Sequence, residues 1–408
     1  MFPQIKPSKK LIYLDHAATT PLDPVVKKAM ETFWSARFGN PSSLYKQGRE
    51  AKLAIEQARQ KIASLIGARP QEIIFTAGGT ESINLAIFGV AGRGVNKHPH
   101  IVTTTIEHHA VLKSCEALAG QGSDVTYVNV DAEGFVNLDQ LKKCIKKETV
   151  LVSVMYANNE IGTIEPIEKI SKLLRQINLQ RTQKKLPHVL FHTDACQAAG
   201  VLDLNVNRLG VDLLTLNGSK IYGPKQTGIL YVRTGVELEP LIYGGGQERN
   251  LISGTENVPG IVGLAKALEL AENNRVKETA RQEKLRDYFI KQLLKIPNVE
   301  LNGPDSTKVT SGKPLERLPN NINVSFVGVE GEALMLYLDG YNIAVSTGSA
   351  CATSLTDPSH VILALGKSAS QAQSSIRMTL GKATTKPELD YVLKVLPGIV
   401  AELRRIQK

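Results

Sequence analysis

Asp194 and Lys220 each stand at the end of an apolar, β-rich run, where a charged side chain needs a partner or a task. Asp194 closes the run 189–193. Lys220 follows 213–216 inside the Gly-bounded turn Asn217-Gly218-Ser219-Lys220. A buried Asp–Lys ion pair would satisfy both, and so would a ligand, because open α/β sheets bind ligands beyond the carboxyl ends of their strands. The stretch Thr76-Ala77-Gly78-Gly79-Thr80-Glu81-Ser82 joins the run 73–75 to a helical pattern. Its glycines permit close backbone approach, and a helix start offers free N–H groups and a positive dipole end to an anion. The pattern is neither a P-loop nor a dinucleotide fingerprint, and alone it also suits an ordinary βα turn. His108 follows the run 101–105, Asn158-Asn159-Glu160 follows 150–156, and Arg377 lies on an otherwise apolar run. Cys351 is one of four cysteines, and its small polar flanks, 346–354, suit an accessible loop. Taken singly, a free cysteine is more often a buried structural residue.

Taken together, these residue types meet the requirements of pyridoxal phosphate. A lysine must hold its aldehyde. A carboxylate must pair with the pyridine nitrogen and keep it protonated, which an opposite charge achieves by shifting a pKa about 1–3 units. A flat side chain must stack on the ring, a helix start must take the phosphate, and an arginine must grip an amino-acid carboxylate. Several motifs at the expected places are more specific than any one of them.

The elements that must position these residues are legible as alternating patterns. Residues 51–66 place Ala51, Ala54, Ile55, Ala58, Ile62, Leu65 and Ile66 on one helical stripe, with Gly67 as a stop. β-rich runs recur at 73–75, 101–105, 125–130, 150–156, 189–193, 213–216 and 229–232, with helical stretches between most of them. This predicts an α/β domain with a largely parallel sheet covered on both faces. From about residue 262 the texture changes. A long helix is expected over 263–295, a polar loop over 303–319, strands at 322–326 and 376–379, a helix at 332–339, and a last helix from 387 that Pro397 should kink. The expected division is a large domain over 21–262 and a smaller α+β domain formed by 1–20 with 263–408.

Apolar content of 42% and charged content of 22% are those of a globular protein, and no apolar run reaches the roughly 18 residues of a membrane span. The N-terminus shows no secretory signal, and Cys115, Cys144, Cys196 and Cys351 fit neither a zinc motif nor a disulfide framework, so no metal and a reducing, cytoplasmic setting are expected. Cys115, Cys144 and Cys196 are read as packing residues. The net charge of +10 is scattered rather than run together, which reads as a solvated basic surface open to acidic protein partners, without direct nucleic-acid binding.

Longer stretches carry a family resemblance: LDHAATTP at 14–21, FGNPSS at 38–43, TAGGTES at 76–82, NNEIGT at 158–163, GPKQTGILYVR at 223–233, SGTENVPGIVG at 253–263 and STGSACATS at 346–354. The chain resembles the cysteine desulfurases of the NifS/IscS type, in the class V aminotransferase family of pyridoxal-phosphate enzymes with the fold-type I architecture. The resemblance covers nearly the whole chain. It implies a mostly parallel seven-stranded sheet, pyridoxal 5'-phosphate as cofactor, and L-cysteine as substrate. It implies Lys220 as the cofactor-binding lysine, Asp194 as the partner of the ring nitrogen, and His108 as the stacking residue and acid/base. Gly79, Thr80, Asn217 and Ser219 resemble phosphate-site positions, and Asn159 and Gln197 positions near the ring. Thr255 resembles a phosphate contact lent by the other subunit of a homodimer. Arg377, with Asn159, would bind the substrate, and Cys351 would accept the sulfur and pass it to an iron–sulfur scaffold or a thiolation enzyme.

There are departures from the family pattern. Asn217-Gly218-Ser219 replaces the usual Ser-Gly-His, Tyr45 replaces a histidine, and the C-terminal tail with which IscS-type enzymes engage a scaffold is not evident. Another pyridoxal enzyme of the same fold, such as a selenocysteine lyase, an aminotransferase or a racemase, stays open as an alternative, as does a non-catalytic scaffold. The Cys351 loop argues against aminotransferase and racemase. The intact set of Lys220, Asp194, His108, Arg377 and Cys351 argues against the scaffold.

Overall fold

In a computed structural model, residues 5–94, 98–306, 309–310, 313–314, 316–348 and 357–406 are described. Cys351 lies outside them. The seven expected runs are strands of one sheet: β1 (Ile73–Thr76), β2 (His100–Thr104), β3 (Asp124–Val128), β4 (Thr149–Ser153), β5 (Leu190–Asp194), β6 (Leu213–Asn217) and β7 (Gly228–Val232). Their order is β1-β7-β6-β5-β4-β2-β3, and only β7 runs against the rest.

Alternation along the strands feeds two cores, one on each face of the sheet. Ile73, Phe75, Val152, Phe191, Leu214, Leu216 and Tyr231 pack into one core, with helices α1 (Lys46–Ile66) and α4 (Ile167–Gln183). Ile74, Ile101, Leu151, Leu190, Leu213 and Leu230 pack into the other, with α2 (Gly79–Ala91) and α3 (His109–Gly120). Both faces are buried, so the strands read as near-continuous apolar runs.

Helix α5 (Val258–Leu293) begins in the first core through Val258, Ile261, Leu264 and Leu268 and ends in a third through Phe289, Ile290 and Leu293. That third core is built on the antiparallel strands β8 (Val299–Leu301), β9 (Asn321–Phe326) and β10 (Ser375–Thr379), in the order β10-β9-β8, and on α6 (Lys386–Ile406). Helix α6 continues through Pro397. An interior proline costs about 3 kcal/mol, but Val395, Leu396, Ile399, Val400 and Leu403 are all buried here, and that packing outweighs the lost hydrogen bond. Ile12 and Leu14 join the same core, and Ile12–Tyr13 pairs in parallel with Ile343–Ala344. The N-terminal strap therefore belongs to the third core before it crosses the large sheet at Ala17–Thr20.

Candidate active site

Two cavities, of about 690 and about 160 Å³, open at the carboxyl ends of β1, β2, β4, β5 and β6 and share Ala18, Gly79, Thr80 and Asn217 as lining. They are one site with two compartments. The larger is bounded by the start of α2. Gly78, with φ of 147° and ψ of −177°, turns the chain from β1 into that helix. A Cβ on Gly79 would stand 3.0 Å from Cys196 Sγ and 3.3 Å from Asn217 Nδ2, so glycine lets this turn sit against the neighbouring strands without displacing those side chains. Ser219 lines this compartment with Gly79 and Thr80, and the hydroxyl of Thr19 is buried without a partner among the described residues. A helix start, glycine backbone and hydroxyl groups form a cradle for a phosphate.

The smaller compartment gathers His108, Asn159, Asp194, Gln197, Lys220 and Arg377. Asp194, only 7% exposed, accepts from the Cys196 N–H at 2.9 Å. Lys220 Nζ donates to the Ala18 carbonyl at 2.5 Å, and Gln197 Nε2 to that of Ala17 at 3.1 Å, so both hold the strap. His108 caps α3, its Nδ1 accepting the Ala110 N–H at 3.1 Å. That bond leaves the ring proton on Nε2, and burial lowers the imidazole pKa against the pull of Asp194, so the ring is a neutral donor. Arg377 is 1% exposed; Nη2 donates to Asp15 Oδ1 at 2.7 Å and Nη1 to the Asn159 carbonyl at 3.3 Å. Its Nε is buried with no partner among the described residues, so one donor of the guanidinium fork is unused. Burial pushes the Cys196 thiol well above its ordinary value, so it stays a neutral packing group in the wall.

The sequence-identified residues thus converge, with two exceptions. Thr255 is exposed and lines neither compartment of its own chain, and Cys351 is outside the described residues. Asp15, Thr19 and the Ala18 carbonyl were missed as individuals. The run LDHAATTP that contains them stood out, but nothing local ties Asp15 to an arginine 362 positions away. Glu107 was missed as well. It is completely buried beside His108, and burial, with the charge of Asp194 adding, pushes its carboxyl up to about 8. Among the described residues no His, Cys, Asp and Glu group is placed to hold a metal, and no helix is long and apolar enough to cross a membrane.

Pyridoxal phosphate fits these residues: a cradle of glycine backbone, hydroxyl groups and a helix start, a lysine and an aspartate in one small compartment, and an unpaired buried guanidinium N–H. Comparison with known proteins agrees. The family model for aminotransferase class V matches residues 12–392. A cysteine desulfurase IscS of Dictyoglomus turgidum is 51% identical over 98% of this chain and 96% of its own length. One of Methanosarcina thermophila is 46% identical over 98% and 95%. Among solved structures, a NifS-like protein superposes with a TM-score of 0.86 at 39% identity, covering 96% of this chain and all of that one. The chain belongs to the class V aminotransferase family, in its NifS/IscS group.

Proposed function

We propose that this chain is a cysteine desulfurase that moves the sulfur of L-cysteine to the thiol of Cys351. The observation that carries the reading is the small compartment, where Lys220, Asp194, His108 and the free Arg377 Nε share one space of about 160 Å³. When bound, pyridoxal phosphate supplies the electrophilic carbon and the electron sink that labilise bonds at the amino acid's Cα and Cβ. Lys220 Nζ anchors it and then carries the Cα proton. Asp194 gives the ring nitrogen its anion, and Arg377 orients the substrate carboxylate. His108 Nε2–H stands ready to donate, and the hydrogen bond on Nδ1 keeps the proton on that nitrogen. The Cys351 thiolate, a few per cent of the thiol at neutral pH, forms an S–S bond to the substrate sulfur as the Cβ–S bond breaks. Carbon leaves reduced as the methyl of alanine, and sulfur stays as a persulfide, so no outside oxidant enters.

The same reading pairs two copies as a homodimer in which Thr255 completes the partner's phosphate cradle. It keeps 21–262 as the cofactor-holding unit and 1–20 with 263–408 as the unit carrying Arg377 and Cys351. The persulfide would serve a cytoplasmic iron–sulfur scaffold or thiolation enzyme. Cys351→Ser is expected to keep the cofactor absorbance and the spectral response to L-cysteine while losing persulfide and alanine turnover. Lys220→Ala is expected to lose the absorbance of the bound cofactor. A Cys351→Ser enzyme that delivers sulfur at the wild-type rate would overturn the acceptor assignment.

A further inference from the structure

Tyr222 stands just past Lys220, with φ of +61°. Among the described non-glycine residues with positive φ, it alone is aromatic. A bulky side chain in this left-handed region costs free energy and persists only where surrounding contacts hold it. Such contacts are present. The Gly223 N–H donates to the Gly218 carbonyl at 2.9 Å and closes the turn around Lys220. The Tyr222 N–H donates to Thr20 Oγ1 at 2.7 Å, and the Tyr222 carbonyl accepts the Asp23 N–H at 3.0 Å. Thr20 in turn donates both its N–H and its hydroxyl to the Ser219 carbonyl, each at 2.9 Å. The strap thus grips the chain on both sides of Lys220.

The Tyr222 ring is held from another part of the chain. The Lys382 N–H donates to the phenol oxygen at 2.7 Å. Lys382 Nζ lies 4.3 Å from the ring centroid, within cation–π distance, and pairs with Asp23. Lys382 belongs to the loop that leaves β10, the strand that carries Arg377. That loop is fixed in its turn. Arg281, on α5, donates to the Gly381 and Thr384 carbonyls at 2.8 and 2.7 Å. Tyr222 therefore joins the turn that carries Lys220 to the loop that extends the strand of Arg377.

We infer that Tyr222 is a positioning residue: its left-handed backbone, bonded by Thr20 and held at the ring by Lys382, sets the Lys220 turn in place relative to the strand of Arg377. The inference rests on Lys220 as the lysine that anchors the cofactor and carries the Cα proton. Once the ring is lost, a residue that still has a Cβ is driven away from φ near +61°, because nothing offsets the cost of that conformation. The turn relaxes and Lys220 Nζ moves with it. Both tasks of the lysine then suffer, its bond to the cofactor and its transfer of the Cα proton. Glycine has no such preference, so it keeps the backbone accessible even without the ring.

The test compares Tyr222→Phe, Tyr222→Gly and Tyr222→Ala holoenzymes, all in a Cys351→Ser background that keeps the sulfur on the substrate. Two quantities are read: the rate at which diluted holoenzyme loses its cofactor absorbance, and the exchange of the L-cysteine Cα proton with D2O, per bound cofactor, by NMR. In Tyr222→Ala, exchange should fall about 10- to 100-fold, the scale on which small misplacements act, and cofactor should be lost faster. Tyr222→Phe should stay close to the parent, and Tyr222→Gly should fall between the two. A ring that merely fills space predicts the opposite order, with glycine the worst, and that result overturns the inference. Exchange per cofactor at the parent rate in Tyr222→Ala also overturns it. Where Tyr222→Ala does not fold, Lys382→Ala, a change at an exposed residue, decides: slower exchange supports the inference and parent values overturn it. Lys220→Ala measured alongside separates the two readings, because cofactor absorbance retained there refutes the lysine assignment, whatever Tyr222 does.

Discussion

Glu107 is a carboxyl group that the fold holds protonated, and Glu107→Gln tests this directly. Its Oε1 accepts from the Thr104 hydroxyl at 2.8 Å and the Met155 N–H at 2.9 Å, while Oε2 is buried without a partner among the described residues. Two donors do not replace full hydration of an anion, so burial raises the pKa from 4.5 to about 8. At about 1.4 kcal/mol per unit, that shift corresponds to a pH-dependent contribution on the order of 5 kcal/mol. The sign follows from proton counting. Below pH 4.5 both folded and unfolded chains keep the proton, and the contribution is fully present. Between pH 4.5 and 8 the unfolded chain releases a proton that the folded chain retains, so stability falls as pH rises. Above 8 the loss is complete.

Glutamine presents the same acceptor oxygen to Thr104 and Met155 but does not ionise. Thermal midpoints of wild type and Glu107→Gln should therefore lie close together at pH 5, and the variant should become the more stable as pH rises to 8. The gap at pH 8 should reach roughly 5 °C, because an unfolding entropy of about 2.1 cal/mol/K per residue makes 1 kcal/mol worth about 1 °C in a chain of 408 residues. Comparing the two proteins at each pH removes the pH dependence that other groups share. A gap that stays constant from pH 5 to 8.5 would show that Glu107 holds no extra proton in the folded state, and the burial argument would fail.

Arg377→Lys removes the unpaired Nε and the planar fork, so the KM for L-cysteine should rise about 10- to 100-fold with cofactor absorbance unchanged, as the loss of a charge-assisted hydrogen bond implies. Equal KM values would remove Arg377 from substrate binding. Glu248 pairs with Arg59 through two hydrogen bonds of 3.0 and 2.7 Å and also accepts the Phe75 N–H at 2.7 Å, and it opens a run of three non-glycine residues with positive φ, Glu248, Arg249 and Asn250. Glu248→Gln should destabilise by about 3 kcal/mol, because it leaves the buried Arg59 guanidinium with only the half-exposed Glu56 carboxylate, 3.2 Å from Nε, as its anion. The double variant Arg59→Met/Glu248→Leu should recover part of that loss in thermal midpoint. Additive losses would show that the pair does not act as a unit.

The strands were readable to within a few residues because each is buried on both faces and so appears as an apolar run: 73–75 is observed as Ile73–Thr76 and 213–216 as Leu213–Asn217. Lys220, Asp194 and His108 were readable for the same reason, since a polar side chain closing such a run has little to do but serve a site. Direction was not readable. β7 has the same apolar texture as its neighbours, and only its hydrogen bonds to β1 and β6 show it reversed.

Sequence singled out the residues that the proposed chemistry would use, a lysine, an aspartate, an arginine and a thiol, because their motifs are local. Tertiary structure decided their state. The unpaired Nε of Arg377 exists because Asp15 and the Asn159 carbonyl occupy its other nitrogens, and both arrive from distant parts of the chain. The proton on Glu107 and the neutral ring of His108 depend on how much water the surrounding strands exclude. The Ser359 hydroxyl donates to the Glu160 carboxylate across 199 positions of sequence. Desolvation and long-range pairing depend on what surrounds a residue in space, and a sequence lists only what precedes and follows it.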